Sequence, residues 1–404
     1  MKINVLNPLI ERNNRMRKEQ YIQSCCTGCG LCHAVYGTEI SKDEKGFIRP
    51  ENIRGGVLET LCPTYLYMAG NHPFSLWGDY VSVYKGYSAN EEIRFRASSG
   101  GALTAISIYL LEHNIVDAII HTGVSNSNPM ETQTYISRTT DEIKSHMGSR
   151  YAVSSPLMDL LQIVQPGKNY AFVGKPCDVA ALKRYMNANP HMAEQIKITL
   201  SFFCAGVPSA SINEKLLEKM GGHKSRLKTF QYRGNGWPGY TTAIETDGTE
   251  CKMSYQEAWG KYLGRDVNKI CRYCMDGIGE FADIACADLW YLKDGNPDFT
   301  EHQGRNIIFC RSANGESTVQ KANEAGYLVI SDASDIMLDF DKYQPYQFSR
   351  RVTMKTRLLA LKLFCRFAPR YDMHLLREAN AFSTKNMNWK IFKGTVKRVL
   401  QGKL

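Results

Sequence analysis

The sequence predicts an α/β fold of mixed α+β character: a mixed sheet flanked by helices, preceded by a small cysteine-bearing unit. Three observations predict it. From about residue 80 to residue 215, short apolar runs alternate with segments of helical periodicity. Before that stretch lies a dense cysteine cluster punctuated by glycines, and after it a second cysteine-bearing stretch among strand-like runs. The composition is that of an ordinary globular chain, 43% hydrophobic and 22% charged, and 404 residues suffice for two or three domains.

Residues 1–20 read as an extended or helical leader. Charges interrupt MKINVLNPLIERNNRMRKEQ, so it lacks the apolar core of a secretory signal, and no run approaches the roughly 18–20 apolar residues that cross a bilayer. The cytoplasm is therefore the expected location. The first unit spans 1–78, with turn signals at Gly28, Gly30, Gly37 and Gly46. In the second, 79–215, ALTAISIYLLEHN (102–114) has helical spacing and VDAIIHTGV (116–124) reads as a buried strand. TQTYISR (132–138) alternates like a strand, and DEIKSHM (141–147) opens with acids as helices do. KNYAFVGKP (168–176), DVAALKRYM (178–186) and IKITLSFFCAG (196–206) continue as strand, helix and strand. The third unit, 216–345, places TFQYRGN, YTTAIET and NIIFCRS as strands around a loop rich in Cys, Gly and Asp. The fourth, 346–404, is a basic tail with the helical segments RLLALKLFCRF and WKIFKGTVKRVL.

Thirteen cysteines are many for a reducing compartment, where clustered thiols bind metal or do redox chemistry rather than form disulfides. Cys26, Cys29 and Cys32 repeat every third residue in a glycine-rich loop. That spacing lets three thiolates wrap one corner of a [4Fe–4S] cubane, and Cys62, followed by Pro63, suits the distant fourth ligand. This makes 1–78 a ferredoxin-like iron–sulfur unit. A second ferredoxin cluster would need cysteines at the position of Tyr36 and within GGVLETL, and both sets are missing. Cys25 is a spare. Four thiolates also suit zinc, but the three-cysteine run favours iron–sulfur. Cys271 and Cys274 form a CxxC that alone reads equally as a zinc half-site or a redox pair. Cys177 and Cys204, each just after a predicted strand of one sheet, can emerge at the same edge and complete a second four-thiolate set. Either alone reads as a buried core thiol, as do Cys251, Cys310 and Cys365. Cys286 stays open as an alternative ligand.

With these pieces in place, the sequence resembles the beta subunit family of coenzyme F420 hydrogenases and dehydrogenases over roughly residues 20–335. The marks are CTGCGLC, IRFRASSGGALTA, MGSRY, FVGKPCDVAALK, FFCAG and CRYCMDGIGEFADIACADLW. The resemblance implies N- and C-terminal beta-subunit domains over 79–215 and 216–345, FAD as the flavin, and a cluster on Cys177, Cys204, Cys271 and Cys274, two [4Fe–4S] clusters in all. It implies an oxidoreductase passing electrons between clusters, FAD and an organic substrate or carrier. The alternatives are F420-dependent reduction, a non-catalytic electron-transfer subunit, and a zinc-stabilised binding protein. One departure is Ala287-Asp288-Leu289-Trp290, where family members carry glycine in the first position.

Within the family pattern, Ser98, Ser99, Gly100 and Gly101 precede a helix, where serine can cap and glycine amides can approach a phosphate. Gly148, Ser149, Arg150 and Tyr151 offer a second loop, with Arg150 near phosphate and Tyr151 against a ring. Lys175, beside Cys177, would favour a reduced anionic flavin. No general acid stands out; His113, His121 and His146 qualify by type only. The expected partners are a redox protein such as a ferredoxin and a small-molecule or sugar-linked substrate.

The net charge is +10, yet residues 350–404 hold 14 Lys and Arg against 2 Asp and Glu, leaving the body near −2. No base-reading motif accompanies this charge, so nucleic acid is not an expected partner. The tail reads as a solvated extension or a dock for an acidic partner, ahead of peripheral contact with an anionic membrane.

Overall fold

A computed structural model describes residues 19–53, 56–67, 74–367 and 369–404. All but the last two residues of the predicted leader lie outside them. Among its described residues the first unit includes the short helices α1 (Leu31–Tyr36) and α2 (Val57–Leu61) and a small antiparallel pair, Ile40–Lys42 with Ile48–Pro50.

The body is built on one eight-stranded sheet: β1 (Ser82–Ser88), β2 (Ala118–Val124), β3 (Thr132–Ser137), β4 (Tyr170–Val173), β5 (Ile196–Phe202), β6 (Ile284–Asp288), β7 (Asn306–Cys310) and β8 (Leu328–Asp332). Their order is β8-β1-β7-β6-β5-β4-β2-β3. The run β6-β5-β4-β2 is parallel, and the remaining pairs are antiparallel. Parallel strands are buried on both faces, which explains their near-continuous apolar runs. Alternation assigns the faces. Ile119, Ala171 and Ile308 pack on one side with α3 (Ala102–Glu112), while Ile120 and Phe172 pack on the other with α4 (Pro176–Ala188). Leu31, Val57 and Leu61 of the first unit join that second core beside Val179 and Leu182, so α1 and α2 are seated against the sheet through α4.

NIIFCRS does not line a separate cysteine loop: Asn306–Cys310 is β7 of the main sheet, and the ACAD segment predicted as loop is strand β6. A run of small residues gives too weak a period-2 signal to separate strand from loop. A three-stranded antiparallel sheet (Leu227–Gln231, Tyr240–Glu245, Glu250–Ser254) packs instead with α5 (Ala210–Lys219) around Phe230, Ala243, Leu216 and Leu217. After α6 (Ala313–Glu324) come four tail helices, α7 (Pro345–Val352), α8 (Met354–Leu363), α9 (Met373–Ala381) and α10 (Lys385–Leu400). Met354, Leu361, Leu375 and Val399 close a core over Tyr273 and Met275, so α8–α10 cover the second CxxC. Among the described residues no helix is long and apolar enough to cross a membrane.

Candidate functional site

The structure brings Cys26, Cys29, Cys32 and Cys62 to the wall of one small cavity, closed by apolar Leu31, Ile48, Leu58 and Leu61. The loop turns through left-handed Gly28 (φ 76°) and Gly30 (φ 87°). A Cβ on Gly30 would meet Met158 at 2.9 Å, so only glycine allows this approach. The Gly28 N–H points at Cys26 Sγ, 3.4 Å away. Burial pushes all four thiols up, Cys29 to about 12 and Cys32 to about 11, a cost that binding as thiolates would relieve. Cys25 is fully buried with Tyr21 and Ile22 and does not line the cavity.

Cys177 and Cys204 follow β4 and β5 at one sheet edge. Cys177 sits in the first turn of α4, and Cys271 and Cys274 come from the turn Lys269–Tyr273 and the residue after it. Burial raises all four thiols, Cys204 to about 11. Mutual repulsion adds to this, from Cys204 and Cys274 on Cys177, and from Cys271 on Cys204. The Val207 N–H donates to Cys271 Sγ at 3.4 Å. Cys286 lies elsewhere, on β6 in the sheet core with Cys310. The two cysteine groups are neighbours: Cys26, Cys62 and Cys271 pack against the same apolar cluster around Ile270, and Asn268 Nδ2 donates to Cys26 O at 3.0 Å. Among the described residues no three His, Cys, Asp or Glu converge as a single ion requires. Zinc needs each sulfur about 2.3 Å from one centre; a cubane spreads its four thiolates over its corners.

Two arginines of the tail face inward. Arg350, 2% exposed, donates from Nη2 to Cys204 O (2.7 Å) and Gln347 Oε1 (2.6 Å), and from Nη1 to Cys271 O (3.2 Å). Arg351, 1% exposed, clamps Met275 O (2.7 Å) and Ser75 O (3.0 Å) and pairs with Glu280 at 3.2 Å. These two charges, counted above as part of a solvated tail, are struts for the second cysteine loop.

Beyond Cys204 a cavity of about 270 Å³ opens at the carboxyl ends of β2, β4, β5 and β6, the edge where open α/β sheets bind ligands. Eight predicted residues line it: Ser98, Ser99, Gly101, Gly148, Ser149, Arg150, Tyr151 and Lys175. Gly100 stands behind, where a Cβ would strike Asn306 Oδ1 at 2.7 Å. The local roles differ from those expected. No serine caps α3: its N-cap is left-handed Gly101, and Asn306 Oδ1 accepts the Ala102 N–H at 3.2 Å. Ser98 Oγ instead accepts from the Ser149 N–H, tying the two predicted loops together. Ser99 Oγ donates to Arg305 O at 3.1 Å and accepts from Asn306 Nδ2 at 3.0 Å. Arg150 is also committed, its Nη atoms bonding the carbonyls of Phe230, Pro129 and Glu131. Its Nε is buried with no partner. Tyr151 stacks on Trp259, with centroids 4.9 Å apart. Lys175 Nζ reaches Asp178 (2.7 Å) and Ser154 Oγ (2.6 Å); burial works to lower its pKa, but Asp178 together with the neighbouring Cys177 and Cys204 holds it above the ordinary lysine value, while burial pushes Asp178 itself up.

His121 and His146 line the cavity, whereas His113 lies away from it beside Tyr109 and Tyr327. Sequence reasoning missed Arg233, which borders the cavity 3% exposed and grips Asp288 through two bonds, 2.9 and 2.8 Å. Trp237 Nε1 also donates to Asp288 Oδ1 at 2.8 Å, and Trp237 stacks on Trp290 at 4.8 Å. The readable signal was the turn-forming GNGWPG directly after Arg233.

Residues 83–162 match the family model "Coenzyme F420 hydrogenase/dehydrogenase, beta subunit N-term", and residues 167–336 match the model of the corresponding C terminus. The coenzyme F420 hydrogenase subunit beta of Methanococcus voltae is 23% identical over 280 residues, 68% of this chain and 92% of that one. The F420-dependent formate dehydrogenase subunit beta of Methanocaldococcus jannaschii is 24% identical over 247 residues, 59% of each chain. In the solved F420-reducing [NiFe] hydrogenase complex of Methanosarcina barkeri, one chain superposes with a TM-score of 0.53 at 20% identity, over 74% of this chain and 98% of that one, which shows the shared fold. The two family matches cover nearly all of the sheet together with Cys177, Cys204, Cys271 and Cys274, whereas the first cysteine group precedes them, and on that ground the chain belongs to the coenzyme F420 hydrogenase/dehydrogenase beta subunit family.

Proposed function

We propose that this chain is an iron–sulfur flavoprotein oxidoreductase that works with a redox partner protein in the cytoplasm. The observation that carries the reading is the adjacency of two partly buried four-cysteine groups, the second opening through Cys204 onto a cavity at the carboxyl edge of the sheet. Cys26, Cys29, Cys32 and Cys62 would hold one [4Fe–4S] cluster, and Cys177, Cys204, Cys271 and Cys274 the other. FAD would occupy the cavity. When bound, the clusters supply single-electron steps, and the flavin exchanges one- and two-electron chemistry.

The chain's own residues shape the site for an anionic, planar guest. The first turn of α3 borders the cavity through Leu103 and Thr104, whose N–H groups have no acceptor inside the helix. The Ser98–Ser149 bond fixes the two glycine loops relative to each other, and the Lys175–Asp178 pair sets a fixed cation in the wall. Arg350 and Arg351 hold the second cysteine loop from behind and exclude water there. The organic substrate is a small molecule, sugar-linked molecules included. A second reading, F420-dependent reduction, is favoured by the similarity to beta subunits of an F420 hydrogenase and an F420-dependent formate dehydrogenase.

Anaerobic purification followed by iron, acid-labile sulfide and flavin analysis tests the proposal. About eight irons per chain with flavin bands support it. About four irons with sulfide would remove one cysteine group from the ligand set. Zinc without sulfide or flavin would overturn the redox reading. Oxidation or reduction of F420 by the loaded protein decides the second reading.

A further inference from the structure

Helix α10 has two faces. Thr395 and Val399, 2% and 4% exposed, turn inward, and Thr356 of the adjoining α8 bonds Asn388 at 2.5 Å. On the outside, Trp389, Phe392, Val396 and Leu400 recur at helical spacing and line one open groove. Trp389 is 57% exposed and Leu400 72% exposed. Soluble surfaces rarely leave an aromatic-aliphatic stripe uncovered. Lys390, Lys393 and Lys397 flank it, all exposed, and Lys393 Nζ lies 4.6 Å over the Trp389 ring. No acid follows Glu378 in the sequence. At the end of α8, Leu363 (69% exposed) and Phe364 repeat the pattern between exposed Lys362 and Arg366.

Lys362, Arg366, Lys390, Lys393 and Lys397 thus set exposed positive charge directly among apolar side chains. That arrangement suits a layer in which headgroups and acyl chains meet. Lysine stems lie along apolar surface while their ammonium groups reach outward to phosphate, and tryptophan prefers the boundary between the two. We propose that α10, with the end of α8, seats the protein on an anionic phospholipid bilayer surface.

Flotation of the full-length protein with vesicles tests this. The protein should float with phosphatidylglycerol vesicles at low salt, stay behind with phosphatidylcholine vesicles, and be released by high salt. Replacing Lys390, Lys393 and Lys397 together with Gln should lower the partition roughly 100-fold, at about fivefold per lysine. These side chains are exposed, so circular dichroism should find the variant folded. Trp389→Ala should lower the partition roughly tenfold. No flotation at low salt would overturn the proposal, as would equal flotation of the triple variant. Dimerisation of the free protein that Trp389→Ala abolishes would also overturn it, in favour of a second copy covering the stripe.

Discussion

Arg350→Met should loosen the second cysteine loop without emptying space in it. Methionine fills most of the arginine volume but donates nothing. Cys271 O then loses its guanidinium donor, while Cys204 O keeps the Gln347 amide at 3.1 Å. Two bonds from a charged donor are worth about 1.5–3 kcal/mol each, and the surviving amide offsets part, so the expected loss is about 2–4 kcal/mol. Gly277 supplies an independent route to the same defect, because a Cβ there would sit 1.3 Å from Arg350 Nη2. Gly277→Ala should therefore expel the guanidinium and cost a similar amount. The double variant should cost little more than either single change, since both remove one interaction. Iron release to a chelator under anaerobic conditions is the assay, with urea unfolding alongside it. Both single variants should release iron at least tenfold faster, as 1.4 kcal/mol per decade requires. A wild-type release rate for Arg350→Met would refute the reasoning, as would strictly additive losses in the double variant.

Cys271→Ala should retain about half the iron of the wild-type protein, whereas Cys25→Ala should retain all of it, because Cys25 faces the apolar cluster; iron analysis separates the two. Arg233→Met should destabilise the protein by about 3–5 kcal/mol by stranding Asp288, and Asp288→Asn should cost less because an amide oxygen can still accept from Trp237; thermal melts rank them. Burial, with His146 adding repulsion, lowers His121 from 6.5 to about 4. The unfolded chain therefore takes up a proton below pH 6.5 that the folded chain refuses until about pH 4. Stability should fall by about 2–4 kcal/mol as pH drops through that window and level off below it, and His121→Gln should flatten this slope in denaturant titrations across pH.

The parallel centre of the sheet was legible because β2, β4 and β5 are apolar runs separated by helices of distinct period. The first cysteine group was legible because its spacing is local, and the second because two strand ends pointed to one edge. Less visible was β1, whose SVYKGYS mixes polarity and carries Gly86, and β6, whose small residues give little pattern. The roles of Ser98, Ser99 and Arg150 could not be read locally, since their partners (Ser149, Arg305 and Phe230) stand far away in sequence. Net charge likewise hid Arg350 and Arg351, because a count of cations does not say which ones a helix turns toward carbonyl oxygens.

Strand β1 hydrogen-bonds on one side to β7 and on the other to β8, both of which are made long after it. At synthesis rates of ~5–20 residues per second, β1 waits on the order of ten to forty seconds with both edges open. Every cysteine assigned above to a cluster has been synthesised before β7 is complete. Loading of the proposed clusters and closure of the sheet would thus compete in time on the nascent chain. Any fragment ending before Leu328 carries an unsatisfied strand edge, which marks it for aggregation or proteolysis rather than for partial function.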